Sequence, residues 1–146
     1  MTALHPEKIL ARPAAEPPIL AVCEHYAGSE RFITKALELK EQFGPALDIT
    51  CDCEDGAEQG NLKKQVGMIL DLLTSERFKE QPIGLRLPDP GRGDWRHELL
   101  RVMKTLRQRL IYLTLPKLKD ARSVGRIISI MQKVARQARR REPLPI

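Results

Sequence analysis

The chain has 146 residues, 42% of them hydrophobic and 30% charged, which suits one folded domain and is too apolar for a disordered chain. No run approaches the roughly eighteen uninterrupted apolar residues of a membrane helix, and the first residues lack a basic segment followed by an apolar one, so a cytoplasmic protein is expected. The net charge of +6 is lopsided: from Arg101 onward 13 Lys and Arg stand against two acids, giving +11, and the first hundred residues carry −5. That basic excess reads as a solvated helix face, which makes nucleic acid an unfavoured partner. Three cysteines, with Cys51 and Cys53 two apart, are an odd count and make no disulfide framework.

Residues 1–17 contain Pro6, Pro13 and Pro17 without apolar periodicity and read as an extended leader. The run at 18–24 (PILAVCE) is apolar on both faces, as a buried parallel strand would be. Ser29 then caps a helix in which Phe32, Ala36, Leu39 and Phe43 recur at helical spacing, until Gly44-Pro45 stops it. The unit repeats. A strand at 46–53 (ALDITCDC) precedes a helix with Leu62, Val66, Ile69, Leu70 and Leu73 on one face. A third strand at 83–87 (IGLRL) is followed by a Pro/Gly loop, Asp94 as N-cap, and a helix striped by Trp95, Leu99, Val102, Met103 and Leu106. The fourth strand is 110–115 (LIYLTL), and Asp120 opens a last helix with Val124, Ile127, Ile128, Met131, Ala135 and Ala138 as its apolar positions.

Four strands alternating with four helices predict parallel βαβ units with right-handed crossovers. The first turn, Glu24-His25-Tyr26-Ala27-Gly28-Ser29, lacks a glycine-rich phosphate loop, which weakens a doubly wound nucleotide fold. A (β/α)8 TIM-type barrel needs about 200 to 250 residues, so these units would make half a barrel, with Leu144-Pro145-Ile146 as the start of a fifth strand.

In such barrels chemistry collects at the C-terminal strand ends. Strand two ends in Asp52-Cys53-Glu54-Asp55-Gly56, strand three presents Arg86, and strand four runs into Pro116-Lys117. Carboxylates, a guanidinium and an ammonium in one mouth suit an anionic, oxygen-rich substrate. His5, His25 and His97 show no paired spacing, and a lone Cys-x-Cys is not a zinc site.

These segments resemble a known family. Asp52-Cys53-Glu54-Asp55-Gly56 is similar to the acidic signature of the HpcH/HpaI aldolase and citrate lyase beta-subunit family. The downstream lysine matches Lys63 or Lys64, Leu85-Arg86-Leu87-Pro88 is similar to its arginine strand, Pro116-Lys117 to its Pro-Lys motif, and Lys35-Ala36 to an early helix. Together they span about residues 18–131 in the family's order. The resemblance implies a (β/α)8 carbon-carbon lyase in which Mg2+ holds a 2-oxo acid, with an acyl-CoA partner whose enolate forms as the bond breaks. It implies Arg86, Glu54 and Asp55 as catalytic residues, Arg86 and Lys117 as substrate contacts, and metal ligands beyond Ile146; the exposed edge strands of a half barrel separately predict a homo-oligomer. On this reading Glu54 and Asp55 orient Arg86 or bind water on the metal, and Asp52 anchors the strand end. Pro88 stands where the family has asparagine, and Cys53 where it has leucine.

Two other readings remain open. Lys117 could form a Schiff base if its pKa were lowered. Alternatively, the basic last helix with Arg139-Arg140-Arg141 could dock an acidic partner or nucleic acid, without catalysis.

Overall fold

A computed structural model describes residues 21–57, 61–91 and 95–146. The leader expected at 1–17, residues 18–20 of the first strand and the Asp94 cap lie outside the described residues. Four strands, β1 (Cys23–Ala27), β2 (Leu47–Asp52), β3 (Ile83–Arg86) and β4 (Leu110–Thr114), form one sheet in the order β1-β2-β3-β4, with every pair parallel. They alternate with α1 (Glu30–Phe43), α2 (Leu62–Thr74), α3 (Trp95–Leu106) and α4 (Ala121–Gln137). Consecutive helices touch one another. Strands added in one direction through right-handed crossovers put all their helices on one face. That singly wound arrangement is consistent with part of a TIM-type barrel and differs from a doubly wound sheet.

Helix starts follow local chemistry. The side chains of Ser29, Asn61 and Asp120 accept from the amides of Phe32, Lys64 and Ser123, each satisfying one orphan donor of a first turn. The predicted stripe of α3 is buried as expected, with Glu98 added, and that of α2 is buried at Val66, Ile69, Leu70 and Leu73 with Gln65 added, while Leu62 is only partly buried. In α1 the stripe is corrected: Ile33, Ala36, Leu37 and Lys40 are buried, while Phe32 and Phe43 are 60% and 61% exposed. Both series have helical spacing, but the sheet lies one position further round the helix than the phenylalanines. In α4 the buried residues are Ile127, Met131 and Val134; Val124 and Ile128 sit at the margin.

The first strand is also corrected. Among the described residues it runs from Cys23 to Ala27, past the expected end at Glu24 and without Ala21 and Val22, because β2 starts only after Gly44-Pro45 and the ladder pairs Cys23 with Leu47 and Ala27 with Cys51. Polar residues are tolerated there because β1 is an edge strand whose first four residues are exposed.

The ladder sorts side chains by parity. Ala27, Cys51, Leu85 and Leu113 form one row on the buried, apolar face, where Ile49, Ile69 and Leu99 are no more than 1% exposed. Burying each large aliphatic side chain contributes about 1.5–3 kcal/mol. On the other face Tyr26, Thr50, Gly84 and Tyr112 form a row, and Asp52, Arg86 and Thr114 the next. A Cβ at Gly84 would come within 2.0 Å of the Tyr112 ring, so only glycine lets that ring cross the sheet. The Thr50 hydroxyl donates to Glu24 Oε1 and lies 2.7 Å from the Tyr112 hydroxyl, which must therefore donate to it. Along the outer side of β4, the Leu113 amide donates to the Pro145 carbonyl at 2.9 Å, placing the last residues where a fifth strand would begin.

Candidate functional site

Parallel order brings the C-terminal ends of β2, β3 and β4 together, and the polar residues of three loops meet there. Asp52 is at its centre. Arg86 Nε donates to Asp52 Oδ1 at 2.8 Å and Nη2 donates to Oδ2 at 2.9 Å, a bidentate fork. The same two oxygens accept the amides of Glu54 and Gly56 at 2.8 and 2.9 Å, so one buried carboxylate fixes both the guanidinium and the loop after β2. Gly56 is required at this point, since a Cβ there would approach Asp52 Oδ2 to 2.6 Å. The turn after β1 closes on the same loop: a Cβ at Gly28 would overlap the Gly56 carbonyl oxygen at 1.8 Å. Gln65 of α2 braces both by donating to the carbonyls of Gly28 and Asp52.

Glu54 and Asp55 occupy the second layer. Lys117 Nζ donates to Glu54 Oε1 and, at 3.0 Å, to Asp55 Oδ1. Arg86 Nη2 is 3.3 Å from Glu54 Oε2 and 3.5 Å from Asp55 Oδ2, close enough for charge attraction. Glu54 Oε2 nevertheless has no hydrogen-bond partner among the described residues, although its side chain is 3% exposed. Burying a carboxylate oxygen this way is costly unless something donates to it. The structure thus brings Arg86, Glu54, Asp55 and Lys117 together, and it makes Asp52 the direct partner of Arg86, where the sequence pointed to Glu54 and Asp55.

Electrostatics keep both cations charged. Burial works against the Arg86 guanidinium, but its hydrogen bonds to Asp52 and the charges of Asp52, Glu54 and Asp55 outweigh it, and its pKa is raised. Hydrogen bonds to Glu54 and then Asp55 raise the Lys117 pKa, and the bond from Lys117 is the main reason Asp55 is lowered. Lys117 adopts a φ of 54°, a left-handed conformation that costs a side-chain-bearing residue about 1–2 kcal/mol and directs the ammonium back to these carboxylates. The Arg86 guanidinium carbon lies 5.5 Å from the centre of the Tyr26 ring.

Cys51 and Cys53 are buried away from this mouth; desolvation pushes the Cys51 thiol up to about 12 and Cys53 upward as well. Neither serves as a nucleophile or a ligand in that state. Among the described residues no three His, Cys, Asp or Glu side chains converge as a metal site. No helix among the described residues is long and apolar enough to cross a membrane.

A parallel sheet in consecutive strand order, with an acidic loop, an arginine and a lysine at its C-terminal end, is an α/β arrangement consistent with part of a TIM-type barrel. Among solved structures, a citrate lyase from Burkholderia xenovorans LB400 matches with a TM-score of 0.78 and 32% identity, over 92% of this chain and 42% of that one. The chain belongs to the citrate lyase beta-subunit-like family, and it spans less than half the length of that solved relative. No protein-family profile and no curated protein matches the chain.

Proposed function

We propose that this chain carries the anion-holding part of a carbon-carbon lyase site that cleaves a hydroxy acid or a hydroxyacyl thioester to a 2-oxo acid and an acyl fragment. The observation that carries this reading is the Arg86 fork: Asp52 takes Nε and Nη2, leaving Nη1 outside these bonds at the sheet edge. When the carbon-carbon bond breaks, its electron pair becomes the enolate of the departing acyl group while the hydroxyl gives its proton to water and becomes the new carbonyl; the enolate carbon then takes a proton back from water, so protons balance. A guanidinium held in advance stabilises negative charge as it develops on oxygen. Lys117 adds a second fixed positive charge, and Glu54 and Asp55 hold both cations in place.

The family resemblance implies Mg2+, with an acyl-CoA type of substrate and a half barrel completed by further strands. The donor set described here does not fit that ion. Both oxygens of Asp52 are taken by Arg86 and backbone amides, and Asp55 and both oxygens of Glu54 face Lys117 and Arg86. No step is therefore assigned to a metal on these residues. The Schiff-base reading loses support on separate grounds, because a raised Lys117 pKa keeps the amine protonated and non-nucleophilic.

The test is binding of a 2-oxo acid to the 146-residue chain, read by NMR on the arginine side chains with pyruvate as probe. Arg86→Lys, which loses the fork, is expected to weaken binding at least ten-fold, and Arg77→Lys on the other side of the fold to leave it unchanged. Equal affinity in the Arg86 variant would overturn the proposal. Turnover of malyl, citramalyl or citryl thioesters with Mg2+ is expected to be slight, and borohydride with a keto acid is expected to leave Lys117 unmodified.

A further inference from the structure

Two tyrosines share the row that crosses the polar face of the sheet, Tyr26 on β1 and Tyr112 on β4, with Thr50 and Gly84 between them. They are used differently. Tyr112 is built into the sheet: its ring lies across Gly84 and its hydroxyl is bound to Thr50. Tyr26 makes no hydrogen bond through its hydroxyl among the described residues and is 42% exposed. An aromatic ring left half open beside Glu24 and Thr50 adds little to the core, so holding the fold does not account for it.

Its partner is Arg86. That residue belongs to β3, with β2 between it and Tyr26, yet its guanidinium carbon lies over the Tyr26 ring at 5.5 Å from the centre. The guanidinium therefore leans across β2, where Asp52 takes it, toward β1. A guanidinium donates in its own plane and offers no donor through its faces. Nε and Nη2 are spent on Asp52, and the carboxylates of Glu54 and Asp55 lie 3.3 and 3.5 Å from Nη2, where they repel an incoming acid. The approach left to an acid is at Nη1, with the Tyr26 ring beside the guanidinium on the β1 side and the Lys117 ammonium held by Glu54 and Asp55 at the loop after β4.

We infer that the Tyr26 ring is the wall against which the carbon chain of a bound 2-oxo acid rests, and that it limits the size of that chain. The acid's carboxylate takes Nη1 and the group on its third carbon faces the ring, whose flat apolar surface receives C–H groups. The methyl of pyruvate fits against a rigid ring, and a branched chain collides with it. Tyr26 is then a specificity-determining residue that touches the ligand without taking part in bond breaking. This inference rests on the acid contact proposed at Arg86 and names what selects the acid there.

Arginine side-chain NMR titration of the 146-residue chain with pyruvate and with the branched 2-oxoisovalerate tests it, circular dichroism confirming that each variant is folded. The wild-type chain is expected to prefer pyruvate by about ten-fold, the scale at which a shaped wall rejects extra carbons. Tyr26→Phe keeps the ring and should keep the preference, whereas Tyr26→Ala should reduce it to less than about two-fold by admitting the branched acid. Arg86→Lys should weaken both acids alike, so the ratio separates selection from affinity and from general loss of structure. Pyruvate binding with no preference in the wild-type chain, or an unchanged preference in Tyr26→Ala, would overturn this inference and leave the Arg86 contact standing. If neither acid binds the wild-type chain, the Arg86 contact falls and the inference falls with it.

Discussion

Replacing Asp52 by asparagine isolates the interaction on which the site is built. Each oxygen of Asp52 accepts two bonds: Oδ1 from Arg86 Nε and the Glu54 amide, and Oδ2 from Arg86 Nη2 and the Gly56 amide. Whichever position becomes the amide nitrogen, two acceptances turn into donor-donor contacts. One is charge-assisted, at about 1.5–3 kcal/mol, and one is to a neutral amide, at about 0.5–1.5 kcal/mol. Arg86 is 21% exposed and can lean on Glu54 and Asp55, which recovers part of the loss. The net cost should be about 2–3 kcal/mol. With a urea m-value of about 2 kcal/mol/M for a chain of this size, the unfolding midpoint should fall by about 1–1.5 M. Lys79→Met is the comparison, because it removes only an exposed ion pair with Glu76 on the surface. If Asp52→Asn moves the midpoint no further than Lys79→Met, then Asp52 does not hold Arg86.

Tyr112 should keep its proton well above pH 10, because burial raises its pKa and the charge of Glu24 adds to the effect. A raised folded pKa means that its contribution is complete below the ordinary tyrosine value of about 10 and is lost as pH rises toward the folded value. The 295 nm difference between the wild-type chain and Tyr112→Phe should therefore appear only with alkaline unfolding; ionisation near pH 10 in the folded chain would refute this. Of the three cysteines, only exposed Cys23 should react with a thiol reagent at pH 8, with Cys51 and Cys53 following only on unfolding; rapid labelling of all three would contradict their burial. The outer edge of β1 is unpaired among the described residues and its first four side chains are exposed. The 146-residue chain should therefore self-associate in size exclusion with light scattering, and a stable monomer at 100 μM would show that the edge is protected.

Much of the architecture was legible because local signals agreed with one another. Ser29 and Asp120 announce their helices, the Trp95 stripe has one possible helical face, and Gly44-Pro45 ends α1. Two elements escaped for the same reason. Ala21 and Val22 look like part of a strand, and Phe32 and Phe43 look like a buried stripe, yet position is decided by the neighbour: β2 sets where β1 can pair, and the sheet sets which side of α1 is covered. Apolar character alone does not say which of two faces will meet the core.

The link between Asp52 and Arg86 was harder to see than the presence of either residue. Glu54 and Asp55 follow the strand and look free to reach an arginine, whereas Asp52 lies inside the strand and reads as structural. Register reverses that reading. Asp52 pairs with Arg86 in the ladder, so the two side chains leave the same face side by side, while Glu54 and Asp55 must reach back from the loop. The clue was the alternation of β2, Leu-Asp-Ile-Thr-Cys-Asp. A strand covered by apolar layers on both sides has no reason to place Asp, Thr and Asp at every second position. Helices cover the face of Leu47, Ile49 and Cys51, and the other face carries Thr50 and Asp52 into a polar space shared with Tyr112 and Arg86. Parity along a single strand thus separates the residues that hold the apolar core from those gathered in the polar mouth.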